Sequence, residues 1–153
     1  MIFLMHGFIG SGKTTKAREI ENSTKAIRLT PDEWMLKLYG ENPPADKFGD
    51  YLNNIFEIME SIWFKIAKND GNVILDYGFW TKESRNDIIA KMNEYKFCYQ
   101  WIILDVEIDE CKKRNLMRGL SKEKTLEISE NTFELLANQF EPFDRISERM
   151  SNE

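Results

Sequence analysis

The sequence predicts an α/β fold in which a mostly parallel sheet of four or five strands is sandwiched by helices. Short, nearly continuous apolar runs alternate along the chain with longer segments that repeat apolar residues at helical spacing. Apolar runs without polar alternation are typical of strands covered on both faces, as in a parallel sheet. Their regular alternation with helical segments is the pattern of α/β proteins.

The individual elements follow from the same pattern. The apolar runs predict four strands, namely Ile2–Met5, Ala26–Leu29, Val73–Leu75 and Tyr99–Leu104. The segments at helical spacing predict one helix from Thr14 onward and further helices at Glu33–Tyr39, Ala45–Asn69, Lys82–Tyr95, Asp109–Met117 and Ser129–Phe140. Thr81 and Ser129 are of the residue types that cap helix N-termini, and Gly71 is placed to end the longest helix. A fifth, short edge strand near the C-terminus is left open.

Composition limits the class of protein. The 153 residues contain 42% hydrophobic side chains and only four prolines, which predicts one folded domain over residues 1–153. A net charge of −5 makes nucleic acid an improbable partner. Cys98 and Cys111 have no C-x-x-C spacing and are interpreted as ordinary reduced thiols. Because no signal peptide or membrane span is evident, we expect a soluble cytoplasmic protein with no membrane partner.

A phosphate-binding motif follows the first predicted strand. Residues Gly7–Thr14 read G-x-x-x-x-G-K-T between an apolar run and a helix. In this strand–loop–helix order, glycines let backbone N–H groups converge on an anion at the helix N-terminus. Lys13 is expected to reach the β- and γ-phosphates, and the Thr14 hydroxyl to hold Mg²⁺. The predicted nucleotide-binding residues are Gly7, Phe8, Ile9, Gly10, Ser11, Gly12, Lys13, Thr14 and Thr15.

A carboxylate follows the third predicted strand. Val73–Leu75 is followed directly by Asp76, and phosphate-loop proteins place such an acid beside the loop, where it orients Mg²⁺ or its water. Any strand that ends in a turn can show the same pattern. In the presence of the loop motif, the metal interpretation is favoured, so Thr14 and Asp76 are the predicted metal site.

Asp32 follows the second predicted strand. The carboxyl ends of parallel strands share one edge of the sheet, so Asp32 is expected at the same crevice as Gly7–Thr14. A carboxylate there can accept the proton of an attacking hydroxyl. Thr30 or Asp32 can equally serve as the cap of the helix that follows. Position and spacing alone do not separate these two interpretations.

Arginines in the second half of the chain are candidate phosphate contacts. Arg114 and Arg118 are four residues apart and therefore share one helix face. Two guanidinium groups facing a crevice neutralise charge on a transferred phosphoryl group, whereas a solvated basic face is the common alternative. Arg85 has a similar ambiguity between a substrate or phosphate contact and an exposed residue in a surface ion pair.

Aromatic residues near the strand ends are candidates for an acceptor pocket. Trp34 follows the second strand, and Tyr77 and Trp80 follow the third, so these rings either line a pocket or belong to the core. His6 is the only histidine and, without a cluster of ligands, is not expected to bind a metal. The predicted substrate-side residues are Asp32, Trp34, Tyr77, Trp80 and Arg85.

The ensemble of motifs resembles a known family. The segments that carry the resemblance are Gly7–Thr14, Leu29–Trp34, Ile74–Arg85, Arg114-Asn115 and Phe140–Phe143. They are similar to small phosphate-loop kinase-like ATPases, often labelled AAA-domain or zeta-toxin-like and related to chloramphenicol phosphotransferase and polynucleotide 5′-kinase. The resemblance implies ATP-dependent phosphorylation of a hydroxyl, with Asp32 as base, Lys13 and Thr14 as phosphate and Mg²⁺ ligands, and Arg114 and Arg118 as lid arginines.

One segment departs from the family pattern. Phe140-Glu141-Pro142-Phe143 stands where the family more usually has Phe-Glu-Pro-Pro, and its role is not evident from the sequence. The hypothesis favoured by the sequence is a kinase that uses ATP and Mg²⁺, with Lys13, Asp32, Arg114 and Arg118 as catalytic residues and an unidentified small hydroxylated molecule as acceptor. The alternative is an ATP-binding protein or slow ATPase that acts as a switch without an acceptor. ATP is favoured over GTP because the base-reading motif of GTPases is missing.

Overall fold

In the part of the chain that the structure describes, four strands form one sheet in which every neighbouring pair is parallel. The computed structural model describes residues 1–121, 126 and 128–148. The strands are β1 (Ile2–His6), β2 (Ile27–Leu29), β3 (Val73–Gly78) and β4 (Tyr99–Ile103), in the order β2-β3-β1-β4. The predicted α/β class and parallel sheet are confirmed. The described residues contain no fifth strand.

The strand order creates a crevice beside β1. The chain leaves β1 for β2, returns to β3 between them, and then crosses to β4 on the opposite side of β1. Ligands of open α/β sheets bind where the strand order reverses, outside the carboxyl ends of the strands. The loop after β1 and the end of β3 therefore meet at this place. The β1–β3 register shifts between Leu4 and His6, so that His6 pairs with Gly78.

Within the described residues, six helices connect and cover the strands. Their bounds are α1 (Lys13–Thr24), α2 (Pro31–Tyr39), α3 (Ala45–Lys68), α4 (Lys82–Tyr95), α5 (Ile108–Gly119) and α6 (Glu130–Ala137). The bounds of α4 agree with the prediction, and the side chains of Thr81 and Ser129 accept N–H bonds as the N-caps of α4 and α6. No helix within the described part of the chain is long and apolar enough to cross a bilayer.

Several predicted boundaries were wrong for local reasons. Helix α2 begins at Pro31 rather than Glu33, since the fixed φ of proline suits the first turn of a helix. After α3 the left-handed residue is Asp70, with φ 56°, rather than Gly71. Strand β3 continues to Gly78, so Asp76 lies inside the strand instead of following it. Helix α6 ends at Ala137, three residues before the predicted end at Phe140.

Apolar side chains cover both faces of the sheet. Leu4 and Leu75 point to the larger core, which contains Met59 and Trp63 of α3 and Met92 of α4. On the other face, Met5 and Ile74 pack with Ala17 of α1 and Ala26 in a smaller core. The two-sided burial explains why the strands read as nearly continuous apolar runs.

Candidate functional site

The loop between β1 and α1 has the backbone that a phosphate-binding loop requires. Gly10 and Gly12 have φ values of 80° and 95°, in the left-handed region that favours glycine. A Cβ on Gly10 would lie 2.6 Å from the carbonyl oxygen of Cys111 in α5. The loop is thus shaped both by its own conformation and by the close approach of a neighbouring helix.

The first turn of α1 is open to an anion. Its N-cap, Gly12, supplies no side-chain cap, and no acidic residue occupies the first turn. The Ser11 hydroxyl is buried in the loop and has no hydrogen-bond partner among the described residues. The Lys13 ammonium donates to the carbonyl oxygen of Phe8 at 3.4 Å. Unsatisfied N–H groups at a helix N-terminus, a free hydroxyl and a lysine form a site that fits phosphate groups.

Asp76 lies beside this loop. The Thr14 hydroxyl donates to Oδ2 of Asp76 at 3.2 Å, and Asp76 is only 5% exposed. Burial raises the pKa of Asp76, while Lys13 and the Thr14 hydrogen bond act in the opposite direction. Its Oδ1 atom is buried and has no hydrogen-bond partner in the described part of the chain. A hydroxyl beside a carboxylate with a free oxygen fits Mg²⁺, which prefers oxygen ligands.

Asp32 faces the same crevice from α2. Asp32 is exposed to solvent, although protein lies close around its carboxyl group. This partial burial raises the pKa of Asp32, and the charges of Lys13 and Arg118 lower it. The N-cap of α2 is Thr30, whose side chain makes no capping hydrogen bond, and Asp32 lies within the first helical turn. Neither residue therefore makes the capping hydrogen bond that was the alternative interpretation.

The arginines of α5 lie on the side of the helix that meets the loop. Arg114 donates from Nη1 to the carbonyl oxygen of Gly10 at 3.4 Å and from Nε to Glu110 at 2.9 Å. About half of the Arg114 side chain, 47%, is exposed, which leaves the guanidinium accessible to a ligand. Arg118 is close enough to Asp32 to lower its pKa. Both arginines are thus near the crevice.

Arg28 of β2 is a site residue that the sequence analysis missed. Its guanidinium Nη1 lies 3.9 Å from Oδ2 of Asp76 and donates to the Thr30 hydroxyl. It also contacts Glu33 at 3.0 Å and Glu21 at 3.3 Å. The available signal was a charged residue inside the otherwise apolar run of β2. A single arginine in a short strand has no motif, so its partners become visible only in the tertiary structure.

Trp34 and Tyr77 lie on the α2–α3 side of the crevice. Trp34 is partly buried against the larger core. The Tyr77 ring meets Phe56 of α3 with ring centroids 5.0 Å apart, and burial raises the pKa of its hydroxyl. That hydroxyl has no hydrogen-bond partner among the described residues. Both rings are therefore mainly core residues, close to the site but not free in it.

Trp80 occupies a different place from the one expected. Its indole Nε1 donates to the carbonyl oxygen of Gly7 at 3.1 Å, and its ring packs on Phe8 with centroids 5.1 Å apart. Trp80 thus packs against Gly7 and Phe8 of the phosphate-binding loop instead of lining an acceptor pocket. The sharp turn after β3, where Phe79 has a φ of 45°, accompanies this placement.

Arg85 also corrects the expectation. It is 0% exposed, and its Nε donates to Glu148 at 2.6 Å. Nη1 donates to the carbonyl oxygens of Phe79 and Glu141, and Nη2 donates to the carbonyl oxygen of Pro142 and to Glu148. Arg85 is neither a surface residue nor available to a substrate, because the C-terminal segment folds over it.

The segment Phe140–Phe143 packs behind the loop. Phe140 stacks on His6 with centroids 5.2 Å apart, and Phe143 meets Trp101 at 5.3 Å. Burial lowers the pKa of His6 to about 4, so its ring is neutral near pH 7, and Nδ1 lies 3.1 Å from the Phe79 carbonyl oxygen. The role that the sequence left open for this segment is structural packing against β1 and the turn after β3.

Solved structures with the same fold include proteins in complex with nucleotides. A chain of the Pnkp1/Rnl/Hen1 RNA repair complex is 24% identical with a TM-score of 0.74, over 90% of this chain and 43% of that chain. Kti12 of Chaetomium thermophilum, in complex with ADP-AlF3, is 13% identical with a TM-score of 0.67, over 96% of this chain and 84% of the other. APS kinase CysC of Mycobacterium tuberculosis, in complex with AMPPNP and APS, is 11% identical with a TM-score of 0.54, over 90% and 95%.

These likenesses establish the fold. The chain spans less than half the length of the RNA repair proteins to which it is similar. No curated protein is significantly similar to it in sequence. The family model described as AAA domain matches residues 2–143, nearly the whole chain. With a G-x-x-x-x-G-K-T loop at the end of β1 and a parallel sheet, this chain belongs to the family described as AAA domain.

Proposed function

We propose that this chain is an ATP-dependent phosphotransferase that moves the γ-phosphoryl group of ATP to a hydroxyl of a small-molecule acceptor. One observation carries the proposal. The accessible Asp32 carboxylate faces the crevice that also holds Lys13 and Arg118, and the Thr14–Asp76 pair lies at the same sheet edge. A general base and a phosphate site are thus combined in a single crevice.

The loop and α1 hold the nucleotide in this proposal. Backbone N–H groups between Gly10 and Thr15 bind the phosphates, and the Lys13 ammonium contacts the β- and γ-phosphates. Thr14 and Asp76 hold Mg²⁺, which supplies positive charge against the phosphate oxygens when it is bound. The free Oδ1 atom of Asp76 supports this assignment.

Asp32 acts on the acceptor. Its carboxylate takes the proton from the acceptor hydroxyl, whose oxygen forms a bond to the γ-phosphorus. The bond between that phosphorus and the β–γ bridging oxygen breaks, and ADP leaves with the bonding electrons. Lys13, Arg114 and Arg118 offset the negative charge on the transferred group. The raised pKa of Asp32 makes its carboxylate a stronger base than an ordinary aspartate.

The test measures ADP formation from Mg·ATP with and without a panel of hydroxyl acceptors. The panel contains nucleosides, sugars, aminoglycosides, chloramphenicol, a nucleotide-sugar and a 5′-hydroxyl oligonucleotide. The oligonucleotide is included because the fold is similar to a chain of an RNA repair complex, although the net charge of −5 disfavours it. Acceptor-stimulated turnover is expected, and dividing the panel identifies the acceptor.

Asp32→Asn is the decisive variant. We expect it to lower acceptor-stimulated turnover by about 10²- to 10⁴-fold, the usual contribution of a general base, with little change in ATP affinity. Asp46→Asn is the matched control, because Asp46 is an exposed acid in the first turn of α3 and lies outside the site. Slow turnover that is indifferent to every acceptor and to Asp32 would instead favour an ATP-dependent switch.

A further inference from the structure

Arg28 contacts four polar side chains near the carboxyl edge of the sheet, namely Glu21, Thr30, Glu33 and Asp76. It lies on the face of β2 that it shares with Asp76 of β3, because Arg28 is in register with Ile74, two residues before Asp76. Its side chain is only 10% exposed. A buried guanidinium requires hydrogen-bond acceptors for its N–H groups, and these acceptors come from three different elements.

The contacts of Arg28 are concentrated on the turn that carries Asp32. Nη1 donates to the Thr30 hydroxyl, and Nη2 donates to Glu33 at 3.1 Å. A threonine at an N-cap ordinarily accepts a hydrogen bond from the helix backbone. Here the hydroxyl accepts from Arg28, and the cap hydrogen bond is missing. The start of α2 is therefore anchored by Arg28 rather than by its own cap.

The same guanidinium reaches the phosphate side of the crevice. Nε of Arg28 contacts Glu21 of α1 at 3.3 Å, and Nη1 lies 3.9 Å from Oδ2 of Asp76. Arg28 thus connects the helix that follows the phosphate-binding loop, the carboxylate beside Thr14, and the turn that presents Asp32. Small displacements between the reacting groups lower transfer rates strongly.

We propose that Arg28 is a positioning residue that holds the Thr30–Glu33 turn, and with it the Asp32 carboxylate, in place relative to Asp76. The inference rests on the proposed function in assigning Asp32 as the base. The planar guanidinium binds several acceptors in fixed directions, which a lysine ammonium cannot reproduce although it carries the same charge. Arg28 therefore supplies fixed hydrogen-bond directions in addition to its positive charge.

The kinetic test uses Arg28→Gln and Arg28→Lys. We expect both to lower acceptor-stimulated kcat by at least about 10-fold, while ATP affinity changes by less than about 3-fold. Arg18→Gln is the matched control, because it removes the same charge from the same partner, Glu33, but 62% of the Arg18 side chain is exposed. Full retention of kcat in Arg28→Lys would overturn the role of guanidinium geometry.

A double-mutant cycle separates positioning from general destabilisation. If Arg28 acts through Asp32, Arg28→Gln causes no further loss of kcat once Asp32→Asn is present. Losses that multiply in the double variant would overturn the proposal, because they would mean that Arg28 acts independently of Asp32.

Hydrogen exchange gives a readout that requires no turnover. The Trp34 amide donates to the Thr30 carbonyl oxygen at 3.3 Å across the turn. We expect Arg28→Gln to accelerate exchange at Trp34 by at least about 10-fold relative to Arg18→Gln, with the amides of β1 unchanged. Equal exchange in the two variants would overturn the proposal even in an active kinase. Failure of the wild-type protein to respond to any acceptor would count against the proposed function alone, since the exchange result does not depend on it.

Discussion

The two carboxylates at the sheet edge have different surroundings although both lie near Lys13. Asp76 is buried and bonded to the Thr14 hydroxyl, whereas Asp32 is accessible. A metal ligand requires a fixed position, and a base must meet an acceptor that enters from solvent. Two carboxylates whose environments differ in this way are suited to two different roles.

The pKa of Asp32 predicts the acid limb of the pH profile. A base must be ionised, so transfer is present above this pKa and is lost as the pH falls through it. Burial raises the pKa of Asp32 above its ordinary value, and Arg118 lowers it. We therefore expect Arg118→Gln to move the acid limb of kcat/KM to higher pH. Lys113→Gln is the control, because Lys113 is exposed on the same helix. An acid limb that stays at the same pH in Arg118→Gln would contradict the assignment.

At the scale of elements, the phosphate-binding loop depends on neighbours outside the motif. Helix α5 approaches so closely that Gly10 has no room for a Cβ. The turn after β3 contributes Trp80, whose indole satisfies the Gly7 carbonyl oxygen. The loop is therefore held from both sides before a nucleotide binds, which reduces the ordering cost of binding.

Trp80→Phe tests this support. The phenyl ring keeps most of the packing but leaves the Gly7 carbonyl oxygen without its donor, so we expect ADP to bind about 2- to 10-fold more weakly. Isothermal titration of ADP provides the measurement. Trp101→Phe makes the same chemical change where the indole N–H has no partner among the described residues, and it should leave the affinity unchanged. Equal effects of the two variants would show that the hydrogen bond is not responsible.

At the scale of the whole molecule, the C-terminal segment closes the fold over a buried ion pair. Arg85 of α4 is fully buried, and Glu148 is its carboxylate partner, with Oε2 2.6 Å from Nε. Burial alone would raise the pKa of Glu148, but the hydrogen bond from Arg85 holds the pKa below its usual value. The pair connects the end of the described chain to the turn behind the phosphate-binding loop.

Glu148→Ala should be strongly destabilising. Removing the carboxylate leaves a buried guanidinium without its charge partner, and we expect the free energy of unfolding to fall by about 3–5 kcal/mol. Urea denaturation measures the loss. Glu19→Ala is the control, since Glu19 pairs with Lys16 on the surface and its removal should cost much less. Equal losses of unfolding free energy in the two variants would mean that the Arg85–Glu148 ion pair does not stabilise the folded protein.

Local sequence patterns determined a large part of the molecule. The apolar runs identified the four strands, and helical periodicity identified the helices to within a few residues. These patterns are readable because burial on both faces of a strand leaves a continuous apolar run, whereas burial on one face of a helix leaves apolar residues at helical spacing. The loop Gly7–Thr14 was equally evident, since its glycines, Lys13 and Thr14 are adjacent in the chain.

Tertiary contacts decided what the sequence could not. The sequence named Trp80 and Arg85 as substrate-side candidates and missed Arg28. In the structure, Arg28 donates to the Thr30 hydroxyl beside Asp32, Trp80 donates to the Gly7 carbonyl oxygen, and Arg85 is buried under the C-terminal segment. Asp76 is distant in the chain from Arg28, Gly7 from Trp80 and Glu148 from Arg85, and no local period records such contacts. The sequence by itself therefore determined the elements and the loop motif, whereas the positions of the polar side chains around the crevice were decided by how the elements pack.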